Sequence, residues 1–231
     1  MKTEFTHIAA DTRINVKIKA QAETEINGKG PKISDDEVAA FKKQFDKLTE
    51  NDVVILSGSL APSLSKDFYF ELIELISNKG ADFVIDTTGE SLMRTLKEHP
   101  LVVKPNHHEL AEIFNAEFTS FEDMIPYGEK LLSLGAKNVL LSMGADGAAL
   151  FTETGIYRAE GLKGQLKNSV GSGDSMVAGF VSQYVSNQEI LECFKYGVAS
   201  GSATAFSDDL ATRADILNLV EKVEIKTISN K

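Results

Sequence analysis

The run Val53-Val54-Ile55-Leu56 constrains the fold most, because four unbroken apolar residues, three of them β-branched, read as a strand covered on both faces. It empties into Ser57 and Gly58. Similar short strands are expected at Phe83-Val84-Ile85-Asp86, at Leu101-Val102-Val103-Lys104 closed by Pro105, and at residues 138–142, with helical stretches between them. Those helices are expected near residues 66–78, where Gly80 ends the pattern, near 90–98, over a short segment holding His107, Glu109, Leu110 and Ile113, and over about 120–134, where Pro126 predicts a kink or break. Strand and helix in alternation predict an α/β fold. The expected architecture is a doubly wound, mostly parallel sheet flanked by helices, with ligands bound beyond the carboxyl ends of the strands.

Other segments extend or depart from this pattern. Ile14, Val16 and Ile18 alternate with Asn15, Lys17 and Lys19, and residues 23–27 form a second extended run ending at Gly28 and Gly30-Pro31, so residues 12–31 predict a half-buried hairpin, read as a partial β lid. A helix should start at Ser34, with Glu37 completing a capping box and Val38, Phe41, Phe45 and Leu48 forming its apolar face. Residues 148–152 and 156–159 read as antiparallel additions to the sheet. Helices near 189–206 and 212–220 follow, the latter capped by Thr212 with Asp215 at its third position.

With 231 residues, 42% of them hydrophobic, the chain can bury a substantial core and is expected to form one domain over residues 1–231. Its 34 acidic and 24 basic residues give a net charge of −10, which argues against nucleic acid and anionic membranes as partners. The single cysteine, Cys193, rules out an intrachain disulfide and reads as a core residue. No apolar leader or long apolar run occurs, so a soluble cytoplasmic protein is the expectation. The four histidines and the cysteine show no zinc-ligand spacing.

Residues 168–180 carry the chemistry: Gly171 and Gly173 precede Asp174 where a loop becomes an apolar helix. The first amides of such a helix have no intrahelical acceptor and sit at the positive end of its dipole, an arrangement that suits a phosphate. Asp174, in the first turn, is placed to take a hydroxyl proton. No Gly-Lys-Ser/Thr follows, which excludes a P-loop, and the dinucleotide glycine spacing is missing. Other strand-end loops add Lys104, the pair Asn106 and Glu109, and the glycine loop 142–147. Together with Ser57-Gly58 and Asp86-Thr87 these loops are expected to share one crevice, although Asp86 is left outside the catalytic set.

The run 168–181 resembles the second signature of the ribokinase-like (PfkB) carbohydrate kinases. Thr12-Arg13-Ile14-Asn15-Val16-Lys17-Ile18, Glu23-Thr24-Glu25-Ile26-Asn27, Lys104-Pro105-Asn106-His107-His108-Glu109-Leu110 and Gly201-Ser202-Ala203-Thr204-Ala205-Phe206 resemble, in the same order, the hexose-phosphate branch and its bacterial 1-phosphofructokinases. The resemblance implies an ATP-dependent kinase that converts D-fructose 1-phosphate to D-fructose 1,6-bisphosphate, with tagatose 6-phosphate as the alternative substrate. It makes Asp174 the base and residues 171–174, including Gly171, Ser172 and Gly173, the anion hole. ATP would meet Lys104, Asn106, Ser142, Met143, Gly144, Ala145, Asp146, Gly147 and Gly173, with Ala199, Ser200 and Ser202 near the adenine. Glu109 would hold the water shell of Mg²⁺ with Asn106 beside it, Arg13 and Asn15 would grip the sugar phosphate, and the lid would support a homodimer. His107 and His108 are expected to be plain surface residues.

The resemblance also implies a preceding strand and a Gly-Gly-Lys-Gly-x-Asn segment, neither of which occurs before Arg13. The expectation is therefore a kinase domain lacking its N-terminal part. A silent nucleotide-binding remnant or dimerisation module is the competing reading.

Overall fold

The computed structural model describes residues 2–19 and 23–230; residues 20–22, inside the span read as a lid hairpin, lie outside the described residues. The chain forms two compact units, one running up to Glu50 and taking in Gly58–Ala81, the other made of Asn51–Ser57 and the chain from Asp82 onward.

In the first unit β1 (Asn15–Lys19) pairs antiparallel with β2 (Glu23–Asn27), in the register Asn15 to Asn27 and Val16 to Ile26. Ile14, Val16 and Ile18 alternate onto one face, and the register puts Ile26 beside Val16; all four are exposed. Helix α1 (Asp35–Lys42) starts with the expected capping box: the Ser34 hydroxyl accepts from the Glu37 amide at 3.3 Å and Glu37 Oε2 accepts from the Ser34 amide at 2.7 Å. Glu37 also ties down the chain before it, its Oε1 accepting from the Ala9 amide at 2.6 Å. The helix does not carry its apolar face as far as expected. It tightens into a 3-10 segment at Lys43–Lys47, and only there is a residue, Phe45, buried. Helix α2 (Phe68–Ser77) is far more apolar and buries Phe68, Tyr69, Leu72, Ile73 and Ile76.

The second unit is built on one sheet in which β3 (Val53–Ser57), β4 (Asp82–Asp86), β5 (Val102–Val103), β6 (Val139–Ser142), β7 (Ala148–Phe151), β8 (Gly155–Ala159) and β9 (Ile225–Asn230) pair in chain order. Strands β3 to β6 are parallel, and β6 to β9 are joined by antiparallel pairings. Two reversals restore direction, so β8 runs with the first four and the sheet is mostly parallel, as expected. Val84, Ile85, Val103, Leu140, Leu141, Leu150 and Phe151 are fully covered, each such side chain contributing about 1.5–3 kcal/mol relative to exposure.

Three details depart from the sequence reading. Among the described residues β3 ends the ladder with one neighbour, and Ile55 is 41% exposed, so the strand expected to be covered on both faces fully buries only Leu56. β5 is only two residues long, and pairing resumes beyond Pro105 as a single bridge from Asn106 to Ser142. β9 carries Lys226, Thr227, Ser229 and Asn230, too polar to announce a strand; its partner β8 supplies the ladder that makes it one.

Around the sheet run α3 (Gly89–Thr95), α4 (His107–Phe114), α5 (Phe121–Ser133), α6 (Ser172–Tyr184), α7 (Ile190–Ala205) and α8 (Arg213–Val220). Helix α5 passes through Pro126 as one element, giving up a single ladder bond near its start rather than breaking. Met176, Val177 and Phe180 of α6 and Phe194 and Val198 of α7 pack with Val84, Leu140 and Leu150 in one core. Among the described residues no helix is long and apolar enough to cross a membrane.

Candidate active site

Four helices close their N-termini with capping boxes: α1, α4, α5 and α8. Helices α2, α3, α6 and α7 have no side-chain cap, and of these α6 alone starts from a left-handed glycine. Its N-cap is Gly171 at φ 77°, a left-handed conformation that a side chain would strain, and no side chain caps it. The Ser175 amide bonds the Gly171 carbonyl at 2.8 Å, and the Ser172 amide lies 3.3 Å from the Ser169 carbonyl. The amides of Gly173 and Asp174, at the second and third helical positions, have no intrahelical acceptor and stand at the positive end of a 13-residue helix.

This terminus is fastened from behind. The Ser172 hydroxyl donates to the Gly201 carbonyl of α7 at 2.9 Å, and the Thr204 hydroxyl donates to the Ser175 hydroxyl at 2.8 Å. The loop before it is held to the end of α7 by the amides of Lys167 and Asn168, which both bond the Ala205 carbonyl. Loop and helix are therefore both anchored on α7.

Lys104 approaches the open terminus from β5. A β-carbon on Gly173 would stand 2.9 Å from Lys104 Nζ, so the missing side chain is what admits the ammonium. Lys104 Nζ also lies 3.5 Å from Asp86 Oδ1, and both side chains are largely buried, 9% and 17% exposed. Burial pushes the Asp86 carboxyl above its ordinary range; the Lys104 charge opposes that shift, and the neighbouring charges of Asp174 and Glu109 add to it. Asp174 itself is exposed.

Lys104, Asn106, Ser142, Gly144, Ala145, Gly147, Ser172, Gly173 and Ser202 line one cleft of about 490 Å³. The bridge between Asn106 and Ser142 brings the β5 and β6 loops side by side. Gly144, at φ 60°, has no heavy atom within 4 Å of where a β-carbon would stand, whereas one on Gly147, at φ 90°, would strike the Ala159 carbonyl at 2.1 Å. The first glycine keeps its surroundings clear; the second allows close backbone packing.

Gly171, Asp174, Met143, Asp146, Ala199, Ser200 and Glu109, all predicted site residues, are not among the residues lining this cleft. Met143 is buried and its amide bonds the Gly147 carbonyl at 2.9 Å, while Asp146 is exposed on the short 3-10 turn. Ala199 and Ser200, expected near the adenine, are not among the cleft residues; both are buried, with the Ser200 hydroxyl packed against Gly179. Their neighbour Ser202 does reach the cleft, because consecutive helical residues point about 100° apart. Asn106 and Glu109 form the capping box of α4: Asn106 Oδ1 accepts from the Glu109 amide at 2.9 Å and Glu109 Oε2 accepts from the Asn106 amide at 2.7 Å. Arg13 and Asn15 belong to the other unit. Arg13 is exposed, its Nη1 donating to the Ser59 hydroxyl at 3.0 Å, and Asn15 starts β1.

Some cleft residues escaped the sequence reading. His107 and His108, expected as plain surface residues, both line the cleft, with ring centroids 3.8 Å apart and His107 Nδ1 buried without a partner. Leu162, Leu166, Val198 and Phe206 supply an apolar wall, and the Phe206 ring lies so close to Gly164 that a β-carbon there would come within 2.4 Å. Asp86, expected in the shared crevice but outside the catalytic set, does not line the cleft and stands beside Lys104 instead. Its strand-end position was a signal, but the register that sets it beside Lys104 was not legible.

The pfkB family carbohydrate kinase model matches residues 1–215. The chain is 46% identical to a 1-phosphofructokinase of Bacillus subtilis over 97% of its own length and 74% of that protein, and 30% identical to a D-tagatose-1-phosphate kinase of Bacillus licheniformis over 96% and 74%. Among solved structures, phosphofructokinase-2 from Escherichia coli in complex with substrates and products superposes with a TM-score of 0.83 at 25% identity, over 90% of this chain and 70% of that one. A Staphylococcus aureus structure assigned as a phosphofructokinase reaches 0.88 at 38% identity, over 99% and 74%. The chain belongs to the pfkB family of carbohydrate kinases.

Proposed function

We propose that this chain transfers the γ-phosphoryl group of ATP to a ketohexose phosphate, and that its substrate is D-fructose 1-phosphate, giving D-fructose 1,6-bisphosphate. The observation that carries the reading is the uncapped start of α6 with the Lys104 ammonium against Gly173 and Asp174 one residue further on. Phosphoryl transfer has a loose transition state, so a protein contributes mainly by positioning and by charge. Within the anion hole of residues 171–174, the amides of Gly173 and Asp174 face the transferred group with Lys104, the Ser172 amide being engaged by the Ser169 carbonyl. Asp174 accepts the proton of the attacking hydroxyl as the new oxygen–phosphorus bond forms and the bond to ADP breaks.

The chemistry of the cleft suits ATP, with Lys104 and Asn106 toward the phosphates and Leu162, Leu166 and Phe206 toward the base. Among the described residues no group of three or more His, Cys, Asp or Glu could hold a metal ion, so Mg²⁺ would take most of its ligands from phosphate and water. When bound, it neutralises phosphate charge. Glu109, whose Oε2 caps α4 and whose Oε1 lies outside that box, would hold part of its water shell beside Asn106. Arg13 and Asn15 are assigned to the sugar phosphate, a planar guanidinium being suited to bidentate contact. The β1–β2 hairpin is the lid in this reading, and its exposed Ile14, Val16, Ile18 and Ile26 would receive a second copy of the chain.

The test is ADP release with D-fructose 1-phosphate, D-tagatose 1-phosphate and D-tagatose 6-phosphate, with the product identified by phosphorus NMR. The expected result is the highest kcat/KM with D-fructose 1-phosphate. A tagatose phosphate turned over faster would move the substrate assignment, a reading favoured by the name of the Bacillus licheniformis relative. ATP binding with no turnover of any sugar phosphate would overturn the kinase reading.

A further inference from the structure

We infer that Asp86 is a positioning residue for phosphoryl transfer, whose carboxylate holds the Lys104 ammonium over Gly173 at the mouth of α6. The inference rests on the kinase reading above. It starts from strand register: Val84 pairs with Val102 and Ile85 with Val103, so Asp86 is the next position across from Lys104. Parallel neighbours in a ladder project side chains onto the same face, and here both lie at the carboxyl ends of their strands.

Lys104 has a reason to leave this place. Its side chain is 9% exposed, its Nζ sits against Gly173, and the adjacent helix terminus carries partial positive charge. A buried ammonium facing another positive end is held only if an anion opposes the repulsion. Asp86 Oδ1, 3.5 Å away, is that anion while no phosphate is bound. The separation exceeds the roughly 2.7–2.9 Å of a tight charge-assisted hydrogen bond. An ammonium with three N–H donors therefore keeps capacity for an incoming phosphate. Asp86 keeps Lys104 in place without saturating it.

A double-mutant cycle on the full chain tests this, using ADP-release kinetics of wild type, Asp86→Asn, Lys104→Met and the double variant. Each single change is expected to lower kcat on the order of 10²-fold, the effect of a misplaced charge, with KM for the sugar phosphate within about threefold of wild type. The double variant should be no slower than Lys104→Met alone, because Asp86 acts through Lys104. Asp86→Glu, which keeps the charge, should recover more of kcat than Asp86→Asn. Wild-type kcat in Asp86→Asn, multiplying losses in the double variant, or no advantage of Glu over Asn would each overturn the assignment. Calorimetric ATP binding runs the same cycle without turnover, each single change weakening ATP about tenfold and the double variant matching Lys104→Met. A chain that shows this coupling in ATP binding but turns over no sugar phosphate would sink the kinase reading and with it the role in transfer, whereas turnover without the coupling would overturn the Asp86 assignment alone.

Discussion

Helices α6 and α7 touch at Gly179 and Ser200: a β-carbon on Gly179 would stand 2.4 Å from the Ser200 hydroxyl and 2.6 Å from the Tyr196 carbonyl. Because one of those atoms is backbone, Gly179→Ala must push the helices apart. We expect a loss of roughly 1–3 kcal/mol, typical of overpacking, read as a lower melting temperature. The variant should also lose kcat, since the N-terminal end of α6 is bonded to α7 through Ser172 and Ser175.

Asp174→Asn removes the proposed base and leaves the amides of α6 in place. The expected loss in kcat is on the order of 10²- to 10⁴-fold, with ATP still bound in a calorimetric titration. Unimpaired turnover in this variant would remove Asp174 from its role.

The capping carboxylates make stability pH-dependent. Backbone and side-chain donors of Thr119 and Ser120 hold Asp123 below its ordinary 3.8, Thr212 does the same for Asp215, and Ser34 with Ala9 holds Glu37 below 4.5. A folded-state value lowered in this way gives stability that is present above the unfolded value and lost as pH falls through the folded one. Melting temperatures should therefore decline as pH drops below about 4.5, and Asp123→Asn or Asp215→Asn should flatten the decline. Ser120→Ala removes the matching hydroxyl and should cost roughly 1 kcal/mol at neutral pH.

Cys193 is fully buried, and burial pushes its thiol up to about 11. A thiolate is the reactive form, so the native chain should fail to react with an aromatic disulfide reagent at pH 8. One equivalent should react after unfolding in guanidinium. Fast labelling of the native chain would contradict the buried position.

Much of the site was legible because its signals are short in sequence. Ser34 with Glu37 and Thr212 with Asp215 proved to be caps, the strand-end loops fell where the alternation put them, and Gly171 opens α6. The spacing of Asn106 and Glu109 carries chemical meaning in the sequence, and in the structure the same spacing closes α4. Ala199 and Ser200 show the limit of matching a motif, since adjacent helical residues cannot all face one cleft and these two point into the core.

Local sequence was enough to specify the alternation of strand and helix, the caps, and the glycine-rich start of a helix with an aspartate in its first turn. Those properties depend on neighbours three or four residues away, or on the period of apolar positions. Tertiary structure decided that Asp86 stands by Lys104, that His107 and His108 line the cleft, and that polar residues 225–230 become a strand. These outcomes depend on strand register and helix packing between residues distant in the chain, which no local pattern encodes.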